Sequence, residues 1–298
     1  MTLITIIVFD ALSYGATLFL LSIGLTVVFG VLRVLNISHG GIYALGAYMG
    51  TWLALLVLGE KFSPWMTYPA LILGALFIGL TVGPIIERVF LRRIYGADMH
   101  IQLLLTFSIL LILDDGMKLI WGMEPIFVSE PYSLLGSFSV VGIIYPWYDF
   151  ALVGVSILFG GLLIWVVRGT SYGKIVVSVI NDREVSTAIG INVNVIYTVA
   201  FTVGALAAAL GGCLIAPKIA VVPQFALEVV VLAFAVIAIG GMGSLEGAAL
   251  GAMIVSFARA LAIHLAPEFD LVAIYVIMIL VLAFRPQGLF GEIEFRKI

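Results

Sequence analysis

Nine apolar runs, at residues 3–32, 40–58, 67–90, 101–120, 150–167, 195–215, 226–241, 247–264 and 270–284, take up most of the chain and are parted by short stretches of charge, proline and glycine. A membrane-spanning helix needs about 20 such residues. In hydrocarbon every backbone amide and carbonyl must be satisfied internally, so only helices or a closed barrel can span. Barrel strands alternate apolar and polar positions, whereas runs such as 71–83 and 229–241 are continuously apolar. Composition agrees: 63% of residues are hydrophobic and 10% charged, against about 45–50% and about 25% in soluble domains. The sequence therefore predicts an all-α, polytopic transmembrane helical bundle with about 8–9 spans, residues 1–298 forming a single membrane domain.

The first run is longer than one crossing requires and is interrupted by Asp10 and Gly15. It lacks a positive leading region and a small-residue cleavage site, so it reads as a retained helix rather than a signal peptide. The seventh and eighth runs are parted only by residues 241–247. They are either two crossings with a tight turn or a broken, partly re-entrant hairpin. If the nine runs alternate, one side collects Arg33, Arg88, Arg92, Arg93, Arg168, Lys174, Arg183, Arg285, Arg296 and Lys297, and the other Lys61, Lys118 and Lys218. The excess of positive charge marks the cytoplasmic side. This places the C-terminus in the cytoplasm and the N-terminus outside. The external connection 121–148 holds three prolines and two glutamates, and Trp52, Trp65, Trp121, Trp147 and Trp165 lie near run ends as interfacial anchors do.

Between runs five and six the internal loop 168–194 is polar but not of disordered composition. Asn181 or Asp182 is placed to cap a short helix through Glu184 to Ile189, with Gly190 as its stop. A short amphipathic helix on the cytoplasmic face fits a groove on a partner; the plainer alternative is an ordered connection. The chain shows no energy source of its own: 169–174 is too short for a phosphate loop and is followed by Ile175, and Gly241-x-Gly243 lacks the dinucleotide spacing. His100 and His264 have no ligand-spaced partner, Cys213 lies alone in an apolar run, and no HExxH occurs, so neither metal site nor intramembrane enzyme is indicated. A net charge of −3 spread along the chain gives no stripe for nucleic acid.

Ionisable residues inside spans are costly and often mark a path. Asp114, Asp115 and Lys118 stand near the outer end of run four, with Asp114 and Lys118 one turn apart and able to pair. Asp114 and Asp115 are candidate path residues for a substrate ammonium, weighed against a local ion pair. Asn36 and His39, at the corner between runs one and two, are candidate gate residues, weighed against capping by Asn36 or Ser38 and a turn at Gly40-Gly41. Asp10, Glu228 and Arg259 are path or packing residues with no sharper assignment. Gly243, Gly247 and Gly251, like Gly79 and Gly83, offer small faces for close helix packing.

Four stretches then carry a resemblance: 24–40 with Tyr43, Gly46 and Tyr48; 182–191 leading into Ala200-Phe201 and 206–212; 240–244 with Gly247 and Gly251; and Arg285-Pro286-Gln287-Gly288-Leu289-Phe290-Gly291. Together, in this order, the chain resembles the branched-chain amino-acid ABC transporter permeases. The resemblance implies a type II ABC importer permease-like fold with broken helices, in the inner (plasma) membrane, and a coupling helix formed by Asn181, Asp182, Arg183, Glu184, Ala188, Gly190 and Ile191. It also implies a paralogous second permease, two ATP-binding subunits that carry ATP and Mg, and an extracytoplasmic substrate-binding protein, with surrounding lipid and no cofactor on this chain. Val176–Val179 replace the arginines common before that helix, and Asp114-Asp115 is also a departure. The competing reading is an autonomous secondary transporter or channel, for which coupling-ion residues deep in the spans and an inverted repeat would be needed.

Overall fold

In the computed structural model, which describes residues 2–140 and 142–291, all nine apolar runs are helices. They are α1 (Thr2–Leu32), α2 (His39–Gly59), α3 (Thr67–Val89), α4 (Met99–Trp121), α6 (Trp147–Gly169), α9 (Val193–Ile215), α10 (Phe225–Gly240), α11 (Leu245–Leu265) and α12 (Asp270–Phe284). Seven are long and apolar enough to cross a membrane; α10 is shorter, and α4, which carries Asp114, Asp115 and Lys118, is not among the seven. Asp10 and Gly15 do not break α1.

Four small elements were not foreseen in the connections. The external segment contains α5 (Glu130–Leu134) and a hairpin of β1 (Ser137–Val140) and β2 (Ile143–Pro146), paired antiparallel with Phe138 opposite Tyr145. The loop at the other end contains α7 (Ser171–Asn181) before α8 (Arg183–Ala188). The arginine-rich tail positions Arg296 and Lys297 lie outside the described residues.

Helix α9 is the central pillar. Its small residues let α1, α2 and α3 close on it: an added Cβ at Gly204 would meet Gly24, one at Gly46 the backbone of Ala209, and one at Gly79 Leu206. With lipid outside there is little hydrophobic drive between helices, so close backbone approach and dispersion hold them together. Cys213 is buried here and donates to the Gly46 carbonyl at 3.0 Å. At the periphery, α12 and α6 bury only 6% and 17% of their most apolar stretches and present the rest outward.

Two helices begin inside the bundle. The His39 ring nitrogen Nε2 lies 3.1 Å from the carbonyl of Leu21, eleven residues before α1 ends. At 1.5 Å per residue that is about 16 Å back along α1. Residues 34–38 therefore climb back from the α1 terminus before α2 starts. Helix α10 starts beside it, Phe225 lying 5.8 Å from Tyr43 and Gly40 packing on Ala226. The broken-helix expectation thus holds at α2 and α10. The α10–α11 connection is a tight antiparallel turn, with Gly247 against Gly240 and Gly251 against Val236. Gly243 sits in the turn at φ +88, a conformation that excludes most side chains, and lies against Gly30 of α1.

Apart from Arg259, which lies within α11, the described arginines and lysines segregate as alternation predicts. Residues 33, 88, 92, 93, 168, 174, 183 and 285 fall at one end, where the chain after α12 bonds Leu289 and Phe290 to the carbonyls of Ile239 and Gly240. Lys61, Lys118 and Lys218 fall at the other.

Candidate functional site

A cavity of about 580 Å³ opens from the end away from the arginines and reaches the two helix starts. Its floor is apolar: Leu18 of α1, Tyr43 of α2, and Phe225, Val229 and Leu232 of α10. Its rim is charged and internally paired. Lys218 lies 2.5 Å from Asp149 and 2.6 Å from the Ser13 hydroxyl, while Tyr132 donates to Asp149 at 3.2 Å. Burial, with Asp149 next in effect, pushes the Tyr132 phenol up to about 12. Across the opening, Asp10 of α1 meets His264 of α11 at 2.8 Å. On the wall, Arg259 of α11 donates to the Tyr14 hydroxyl, lies over the Tyr14 ring at 4.4 Å, and stands 3.6 Å from Asp270. Glu228, in the first turn of α10, faces the cavity with no hydrogen-bond or ion-pair partner among the described residues.

At the arginine end, the sequence folds the polar loop by its caps. Thr170 accepts from the Gly173 amide to start α7, and Asp182 accepts from the Val185 amide at 2.9 Å to start α8. Gly190 (φ +90) closes α8, and Asn192 caps α9. Among the residues expected to form a docking helix, Asn181, Asp182, Arg183, Glu184, Ala188 and Gly190 are exposed and Ile191 is half-buried. Val185 and Ile189 are 56% and 70% exposed, which leaves an apolar edge on the outside of α8.

Beneath α8 lies a network that sequence reasoning missed. Glu87, fully buried at the end of α3, accepts two bonds from Arg92 (3.2 and 2.9 Å), one from Tyr95 (2.8 Å) and one from Thr198 of α9 (2.7 Å). A buried carboxylate is tolerable when paired and bonded this completely. Burial first, and then the Glu87 bond, push the Tyr95 phenol well above its ordinary value. Tyr95 meets Tyr197 edge-on at 5.0 Å, and Arg183 of α8 sits 5.6 Å over the Tyr197 ring. A continuous set of contacts therefore leads from α8 into α9 and α3. The only sequence signal was a glutamate five residues before an arginine.

The other expected site residues lie apart from the cavity. Asp114 is buried and takes Lys118 at 2.7 Å and the Gln224 amide at 3.1 Å; Asp115 is exposed and takes Lys118 at 3.0 Å. Neither lines the cavity, yet Asp114 holds Gln224 (φ +70) in the left-handed turn that launches α10. Asn36 and His39 are fully buried and also stand outside it. The capping expected of Asn36 or Ser38 is corrected: the Ser38 side chain caps nothing and donates to Asn36 Oδ1 at 2.5 Å. Gly40 and Gly41 are not a turn but the first residues of α2, packed on α10 and on Leu113 of α4.

Residues 7–282 match the family described as "Branched-chain amino acid transport system / permease component". The chain is 27% identical to the high-affinity branched-chain amino acid transport system permease protein LivH of Salmonella typhimurium, over 97% of this chain and 96% of that one. It is 28% identical to LivH of Escherichia coli K12 and to BraD of Pseudomonas aeruginosa, each over 97% of this chain and 96% of theirs. Among solved structures, PsaBC from Streptococcus pneumoniae in complex with Fab covers 92% of this chain and 88% of its own at a TM-score of 0.46 and 15% identity. From α1 to α12, then, this multi-pass membrane protein belongs to the branched-chain amino acid transport system permease family.

Proposed function

We propose that the chain is a transmembrane permease subunit of an ATP-binding-cassette importer, forming half of the path for a small polar solute, branched-chain or other amino acids foremost. The observation that carries this reading is that one rigid element, α9, joins a charged cavity at one end to an exposed, capped α8 at the other. Residues 181–191 dock on an ATP-binding subunit, which holds ATP and Mg; a paralogous permease completes the path and an extracytoplasmic binding protein delivers the solute. The arginine end faces the cytoplasm and carries the C-terminus. The names of the relatives support the substrate, and the apolar edge of α8 supports the docking.

The test is reconstitution in liposomes. ATP-driven leucine uptake by the chain assembled with two ATP-binding subunits, a second permease and the binding protein is the expected result, with none from the chain alone. Leucine transport by the chain alone under an ion gradient would instead establish a secondary transporter.

A further inference from the structure

Most of the ionisable groups around the cavity are bound to one another. Lys218 is taken by Asp149 and Ser13, and His264 by Asp10. Arg259 is held by Tyr14 and, more loosely, by Asp270 at 3.6 Å, and its buried Nε has no partner. The one cavity-lining carboxylate without a hydrogen-bond or ion-pair partner among the described residues is Glu228. It stands, exposed, in the first turn of a helix that begins inside the bundle. Tyr14, bonded to Arg259, lines the same cavity as Glu228. Exposed to the cavity and without a partner among the described residues, the Glu228 carboxylate can take a counter-charge that enters.

We infer that Glu228 is the residue that recognises a substrate ammonium in this cavity, and that Arg259 faces the carboxylate at the other end of a zwitterion. The inference rests on the permease reading and goes beyond it by fixing which charge type the chain itself selects. An organic anion entering here is repelled by the unpaired Glu228 carboxylate, and an uncharged amide gains a hydrogen bond from it without the attraction of an ammonium charge. A zwitterion meets Glu228 and the Arg259 guanidinium, both of which line the cavity, together. Its apolar side chain is left for the floor of Phe225, Val229 and Leu232. Recognition would then not belong to the binding protein alone.

The experiment is equilibrium binding of radiolabelled L-leucine to the assembled transporter in nanodiscs without nucleotide or binding protein. The competitors are 3-methylbutylamine and 4-methylpentanoate, which keep the skeleton and remove one charge each. Leucine is expected to bind saturably and the amine to compete, with the anion at least about tenfold weaker than the amine, since a hydrogen bond to a charged group is worth about 1.5–3 kcal/mol. Glu228→Gln should weaken leucine and the amine by a similar factor, and Arg259→Lys should weaken leucine while sparing the amine. Because Glu228 has no structural partner, Glu228→Asp, which keeps the charge, serves as the folding control and should recover part of the affinity. Anion competition equal to the amine, or Glu228→Gln binding leucine as the unmodified chain does, overturns the assignment and leaves Glu228 a helix-terminus charge. Absent binding alongside normal ATP-driven uptake overturns it too, yet spares the permease reading; absent uptake refutes that reading itself.

Discussion

Asp182 shows how much a single side chain settles. It accepts the Val185 amide at 2.9 Å, and replacing such a cap with alanine costs about 1 kcal/mol. Asp182→Ala should therefore speed amide hydrogen exchange across 183–188 by roughly fivefold; an unchanged rate would mean that α8 is held by its neighbours and not by its cap. Glu87 has the larger stake, because its loss strands Arg92, Tyr95 and Thr198 together. Arg92 is about one-third exposed, which softens the penalty, so Glu87→Ala should destabilise by about 2–3 kcal/mol in urea titration. Tyr132 supplies a pH dependence. Its phenol titrates higher in the folded protein than in the unfolded chain, so its contribution is intact below pH 10 and is lost as pH rises toward 12. Absorbance of tyrosinate during an alkaline titration should show late-ionising tyrosines, and the component near pH 12 should shrink by one residue in Tyr132→Phe. Caps such as Asp182, Gly190 and Asn192 were legible because they act over three or four residues. The Arg259–Tyr14 contact was not, because its partners are 245 residues apart and nothing local links them.

Among the elements, the long apolar runs announced themselves through length alone, and each appears within a few residues of its expected limits. Helix α7 escaped notice because Val176, Val177 and Val179 are weak helix formers read against a polar loop; its cap at Thr170 and its packing against α6 decide the matter. The β1–β2 hairpin was hidden by its shortness. The α10–α11 turn tests the packing argument. A side chain at Gly251 would press on the backbone of Val236 and Gly240. Gly251→Leu should therefore cost roughly 3 kcal/mol, at the top of the overpacking range, read as a lower melting temperature in detergent. An unchanged melting temperature would mean that the two helices can part without loss. Before α2 and α10 hydropathy marked a break, at Arg33, Asn36 and Ser38 and at Pro223-Gln224, but gave no hint that the break lies inside the bundle.

At the scale of the whole molecule, the nine helices divide its chemistry between two ends. The paired charges of the rim, the cavity with Arg259 and the unpaired Glu228 lie at one; the other described arginines, the Glu87 network and α8 lie at the other. Alternation of the runs foretold this division from charge placement, whereas the cavity lining drew on α1, α2, α6, α9, α10 and α11 at once and could not be assembled from any local stretch. Everything proposed for coupling depends on which side of the membrane α8 occupies. Ile189 is 70% exposed and Cys213 is buried, so an Ile189→Cys chain carries one accessible thiol. A maleimide too polar to cross the membrane should leave that thiol untouched in intact spheroplasts, label it in inside-out vesicles, and fail again there once the ATP-binding subunits are assembled. Labelling of the intact spheroplasts would put α8 outside, out of reach of any ATP-driven partner, and would contradict the account.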